Sequence, residues 1–145
     1  MTHTKHIRIA VDAGILVTNM ERSLYFYRVL LELPVVAQVA TSLIGKGTMV
    51  QLRHGESLIK LVELEKGPSQ PNGVGHHGRL AAAYGIRYIT LMVVNIVAIM
   101  ERVEQTDTTI TLPLTQLGNG ALIAMVADPD GNIVEFVQES VTASS

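Results

Sequence analysis

Two stretches of this chain carry the same local pattern 76 residues apart: Val17-Thr18-Asn19-Met20 and Val93-Val94-Asn95-Ile96. Each closes an apolar run of strand character and opens a run with apolar residues at helical spacing. A shared tetrapeptide is a weak signal alone. Its weight comes from its surroundings, because both halves read strand, helix, strand, strand, strand. One βαβββ unit cannot bury its sheet face by itself, so the repeat predicts two units packed as one α+β domain. The first spans about residues 7–65, a loop fills 66–85, and the second spans about 86–139.

In the first half, Ile7 to Val17 reads as a strand and Asn19 as a helix N-cap. Met20, Leu24, Tyr27 and Leu31 fall at helical spacing, with Tyr27 in the core, and Pro34 ends the helix. Strands follow over Val35–Ala40, Ser42–Arg53 and Ser57–Glu65, the last two joined by a tight turn at His54-Gly55-Glu56. The second half repeats this with a strand over Ile86–Val94, an N-cap at Asn95, and a helix marked by Ile96, Ile99, Met100 and Val103. A strand over Thr108–Leu114 comes next. Then Asp128-Pro129-Asp130-Gly131 turns between two apolar runs: Pro129 sets φ, the Asp128 side chain bonds back to the backbone, and Gly131 takes a positive φ. Ser140–Ser145 reads as a loose tail. Glu65–Gly85 is rich in glycine and proline and contains His76 and His77, with a short helical turn over Leu80–Tyr84. Its glycines neither follow a strand nor open a helix, so it is no phosphate loop.

Composition narrows the function. The chain has 145 residues, enough for a core, and that core is aliphatic, because aromatic residues are 4%. The formal charge of −2 and the lack of a Lys/Arg cluster argue against nucleic acid. There is no cysteine, hence no disulfide, thiol nucleophile or thiolate ligand. Met1–His6 lacks a signal-peptide apolar region, and no apolar run is long enough to span a membrane. The expectation is a soluble cytoplasmic protein.

The repeat also places candidate site residues. Asp12 and Tyr88 each stand seven residues before their N-cap asparagine, and Lys60 and Glu135 match in the last strand of each half, 75 apart. Strand alternation groups Asp12 with Gly14 and Leu16, Lys60 with Leu58 and Val62, Tyr88 with Thr90 and Met92, and Glu135 with Ile133 and Val137. Each is a polar group on a small or apolar face. If both sheets curl around one cavity, the four converge there. Arg87, beside Tyr88, points to the opposite face.

On Gly14 to Tyr27, Gly85 to Ile89 and Asp128 to Phe136, the chain resembles the vicinal oxygen chelate superfamily, the glyoxalase I, bleomycin-resistance and extradiol-dioxygenase group. The resemblance covers nearly the whole chain. It implies two βαβββ modules forming a U-shaped cavity, often in a homodimer. In metal-dependent members four cavity positions hold His, Gln or Glu ligands. The matching positions here are Asp12, Lys60, Tyr88 and Glu135, of which only Glu135 keeps the residue type. An ammonium has no lone pair to donate, and a phenol with a pKa near 10 is a poor ligand. The expectation is therefore a scaffold with no metal and no other cofactor.

Three functions fit. The first is a metal-independent isomerase, lyase or ring-opening enzyme acting on an oxygenated, mostly apolar metabolite. There Glu135 or Asp12 takes a proton, Lys60 or Tyr88 stabilises an oxyanion, and Leu58, Val62, Thr90, Met92 and His77 line the ligand. The second is a non-catalytic small-molecule binder of the bleomycin-resistance kind, with the polar set a structural plug. The third is a metal enzyme using Asp12, Glu135 and a loop histidine. In each, the partners are a small molecule and a second copy of the chain.

Overall fold

The computed structural model describes residues 5–69 and 80–141. Its first unit runs β1 (Ala13–Leu16), α1 (Met20–Leu24), β2 (Val35–Thr41), β3 (Gly47–His54) and β4 (Ser57–Leu64). The second runs β5 (Tyr88–Met92), α2 (Ile96–Glu104), β6 (Ile110–Gln116), β7 (Leu122–Ala127) and β8 (Ile133–Gln138). Each unit forms a four-stranded sheet, in the orders β1-β4-β3-β2 and β5-β8-β7-β6. The first strand of each unit runs parallel to the last, and the other pairs are antiparallel. The repeat is thus a repeat of topology. No described helix is long and apolar enough to cross a membrane.

One continuous cluster of buried side chains spans both units. It takes Val50, Leu52, Ile59 and Leu61 from the first sheet, Ala124, Val126, Val134 and Phe136 from the second, and the inward faces of both helices. Because strand residues alternate, Lys60 and Glu135 lie on the opposite face of their sheets from this core. That opposite face is called the site face below. Leu58, Val62 and Ile133 are also buried, yet outside the main cluster, as residues on the other side of a central strand should be.

The helices start by parallel devices. Asn19 accepts from the Arg22 N–H at 3.0 Å, and the Glu63 carboxylate takes the Met20 N–H. In the second unit Gln138, the repeat equivalent of Glu63, accepts from the Ile96 N–H at 2.9 Å. Asn95 holds the N-cap position but its side chain makes no cap hydrogen bond, so the sequence expectation is corrected there.

Several boundaries also move. The predicted Ile7–Val17 strand pairs only over Ala13–Leu16. Asp12 causes the loss: its Oδ1 accepts the Leu58 N–H at 2.8 Å, a group that ladder pairing would otherwise use. Residues 42–46 form turns, so β3 starts at Gly47 and not Ser42. Its start is tight, since a Cβ on Gly47 would stand 2.2 Å from the Glu63 carbonyl oxygen. The predicted Met20–Leu31 helix is α-helical only to Leu24 and continues as a π-helix over Tyr25–Leu30. It ends where Glu32 takes a positive φ of 58°.

The units hold each other by their turns. The β7–β8 turn docks on the first unit: the buried Tyr27 hydroxyl donates to Asp128 Oδ2 at 2.7 Å, and the Thr18 hydroxyl donates to Asp130 Oδ1 at 2.5 Å. The β3–β4 turn docks on the second unit, with His54 Nε2 at 2.8 Å from the Met92 carbonyl. A carbonyl only accepts, so Nε2 carries the hydrogen. His54, a residue of the tight turn between β3 and β4, is a bridge between units. Beside these contacts lie two grooves of about 970 and 420 Å³. Residues 107–109 and 128–129 edge the larger, and their repeat equivalents, 31–33 and 53–54, edge the smaller.

Candidate functional site

The site residues follow from strand register. Lys60 stands opposite Gly14 on β1 and Gln51 on β3. Glu135 stands opposite Thr90 on β5 and Met125 on β7. Both therefore sit mid-sheet on the site face, flanked along their own strands by Leu58 and Val62, and by Ile133 and Val137.

In the first unit, Lys60 Nζ lies 3.6 Å from Asp12 Oδ2. Asp12 is engaged more closely by Arg8, which donates to both carboxylate oxygens at 2.9 Å. Arg8 Nη1 also donates to the Glu56 carbonyl at 2.7 Å, and His6 meets the Glu56 carboxylate at 3.1 Å. These bonds pin the segment before β1 to the β3–β4 turn. Hydrogen bonds from Arg8 and the Leu58 N–H, with the Arg8 and Lys60 charges, hold the Asp12 carboxyl well below the usual carboxylate range. Asp12 is an ionised anchor that accepts three hydrogen bonds, which makes it a poor proton acceptor. The sequence reading did not use Arg8, although a residue four before Asp12 in an extended segment points to the same side.

In the second unit, Glu135 is 9% exposed and its Oε1 accepts the Thr90 hydroxyl at 2.6 Å. Among the described residues its Oε2 has no protein donor, and no cation pairs with it. Tyr88 and Met92 share the face and are about half exposed. Three of the four polar positions thus fall into two groups, Arg8–Asp12–Lys60 and Thr90–Glu135, and no hydrogen bond among the described residues ties Tyr88 to either. No hydrogen bond or ion pair among the described residues joins one group to the other. His77 lies outside the described residues.

A divalent metal does not fit this donor set. Lys60 offers no lone pair, Tyr88 is a weak ligand, and Asp12 is clamped by a guanidinium. Among the described residues no group of three or more His, Cys, Asp or Glu side chains is placed to hold a metal ion.

The paired βαβββ units, with polar residues at repeat-equivalent places on their open faces, define a glyoxalase-fold protein. The chain belongs to the Glyoxalase/Bleomycin resistance protein/Dioxygenase superfamily, whose sequence profile matches residues 4–136. A glyoxalase family protein from Bacillus cereus shares the fold at a TM-score of 0.74 with 14% identity, over 96% of this chain and 98% of that one. The trypanothione-dependent glyoxalase I of Leishmania major superposes at 0.67 with 24% identity, over 92% and 88%. TioX from Micromonospora sp. ML1 does so at 0.63 with 14% identity, over 94% and 100%. Comparison with curated protein sequences returns no match.

Proposed function

We propose that the chain is a metal-independent acid–base enzyme, an isomerase, lyase or ring-opening catalyst acting on a small oxygenated metabolite at its site face. The supporting observation is the state of Glu135. Among the described residues it is a mostly buried carboxylate with one hydroxyl donor on Oε1, no donor on Oε2 and no cation paired with it. Such a group takes a proton from a carbon next to a carbonyl, and the electron pair moves onto the carbonyl oxygen. Lys60 stabilises the negative charge that develops there, and the proton returns at a neighbouring atom or a leaving group departs.

The reading includes a homodimer in which a second copy brings the Arg8–Asp12–Lys60 group of one chain to the Thr90–Glu135 group of the other. Three features support it. No hydrogen bond or ion pair among the described residues joins the two groups within one chain. β1 and β5 each end their sheet with an unpaired edge. Ile7, Ile9 and Val11, before β1, are more than four-fifths exposed. Residues 1–145 then act as one domain in the cytoplasm.

Deuterium exchange reads proton abstraction without a named substrate. Protein dialysed against chelator is incubated in D2O with a panel of 2-oxo and 2-hydroxy compounds and followed by NMR. Exchange that survives chelation and falls about a hundredfold or more in Glu135→Gln supports the enzyme, since a general base contributes about 10²–10⁴. Exchange that requires added metal, or that Glu135→Gln leaves intact, overturns it.

One observation favours a sequestering small-molecule binder instead. Asp12 is taken by Arg8, and neither Asp12 nor Lys60 is bonded to Glu135, which leaves Glu135 with no second proton-transfer group bonded to it among the described residues. In that case Glu135→Gln shifts affinity alone, and no exchange occurs.

A further inference from the structure

Lys60 is one third exposed and, among the described residues, has a single acidic contact, the 3.6 Å approach to Asp12. That carboxylate already accepts two 2.9 Å bonds from Arg8 and one 2.8 Å bond from the Leu58 N–H. A bidentate guanidinium–carboxylate pair is shorter and stronger than a single ammonium contact at 3.6 Å. Arg8 therefore neutralises Asp12. Glu56 adds a second acidic group on the Arg8 side, and no carboxylate other than Asp12 comes within 4 Å of the Lys60 ammonium among the described residues, so Lys60 keeps uncommitted donor hydrogens.

The surroundings suit a ligand at that charge. Gly14 is the β1 partner of Lys60, and nothing lies within 4 Å of where its Cβ would stand. The sheet thus has a gap beside the ammonium. On the other flank is Gln51, whose side-chain nitrogen, among the described residues, donates only to the Met49 sulfur at 3.4 Å, a weak acceptor. Leu58 and Val62, buried before and after Lys60 on the same face, limit water there and strengthen a charge pair.

From this we infer that the ligand carries a compact monoanionic group, the carboxylate of an organic acid, which docks on Lys60 over Gly14 with the Gln51 amide as second donor. The inference rests on the site face being the ligand face, and it is independent of Glu135 acting as a base. Arg8 is a positioning residue here: it occupies Asp12 so that Lys60 stays available.

The test titrates the full chain by NMR with 4-methyl-2-oxopentanoate, with its methyl ester, and with inorganic phosphate. The acid should bind about tenfold or more tighter than the neutral ester. Lys60→Gln should erase that preference, and Glu135→Gln should keep it. Arg8→Gln should erase it without touching the lysine, because Asp12 then turns to Lys60. That variant also guards against a misfolded Lys60→Gln. Equal response to acid and ester (including none to either), a preference surviving both variants, or a stronger response to phosphate overturns the inference. Acid preference without deuterium exchange would sink the acid–base reading and leave this site standing. Exchange without acid preference would do the reverse.

Discussion

The Tyr27 hydroxyl and the Asp128 carboxylate, 101 residues apart, form a 2.7 Å hydrogen bond inside the protein. Asp128 also accepts from the backbone N–H groups of Asp130 and Asn132 and from the Asn132 side chain. One carboxylate thus locks the β7–β8 turn and fastens it to the helix of the other unit. Tyr27→Phe should cost about 1–3 kcal/mol, the range for a lost bond to a charged group. Asp128→Ala should cost more, because it leaves the buried hydroxyl unpaired and the turn unlocked. Urea unfolding followed by circular dichroism measures both.

Asp12 and Asp128 should give opposite pH signatures. The Asp12 carboxyl is held below its unfolded value, so its contribution is present above about pH 4 and is lost as pH falls through the lowered folded value. Burial pushes Asp128 up, so its contribution is full below the ordinary carboxylate value and is lost as pH rises through the raised one. Melting temperature measured from pH 2 to 7 should show a flatter acid limb in Asp12→Asn and a steeper one in Asp128→Asn. The same limb in both variants and wild type would contradict this.

The helix caps give a contrast within the repeat. Asn19→Ala removes a side-chain cap and should cost about 1 kcal/mol. Asn95→Ala removes none and should cost close to nothing. Gln138→Ala, by exposing the Ile96 N–H, should resemble Asn19→Ala. Equal losses at Asn19 and Asn95 in chemical denaturation would mean that both asparagines cap.

Two glycines separate packing from chemistry. Gly47→Ala drives a Cβ into the Glu63 carbonyl, so β3 and β4 must part locally, at a cost of about 3 kcal/mol or more. Gly14→Ala meets open space and should leave the melting temperature within a degree or two. A thermal-shift assay on the two variants decides the point.

The fold was legible because its signals are local and repeated. Helical spacing after Asn19 and Asn95, and the Asp-Pro-Asp-Gly turn, set element order and therefore topology. Alternation then placed Lys60 and Glu135 on one kind of face, as the register bears out. What escaped the sequence depends on side chains replacing backbone. Asp12 takes the Leu58 N–H and cuts β1 short, and Gln138 takes over the role expected of Asn95. Strand alternation says which face a residue joins but not how far two sheets stand apart. Hence the two polar groups remained unseparated in the sequence reading. The Arg8 clamp was visible only as spacing, and nothing in spacing says that a guanidinium outcompetes an ammonium for one carboxylate.

The reciprocal turn docking has an evolutionary consequence. Asp128 and Asp130 grip one unit and His54 grips the other, and none of these contacts uses the Lys60 or Glu135 side chain. The side chains that hold the halves together are therefore not the Lys60 and Glu135 side chains on the site faces. Selection can exchange a metal-binding set for an ammonium and a lone carboxylate without loosening the clasp. In this chain, inventiveness sits on the open faces of the sheets, and constancy sits in the turns behind them.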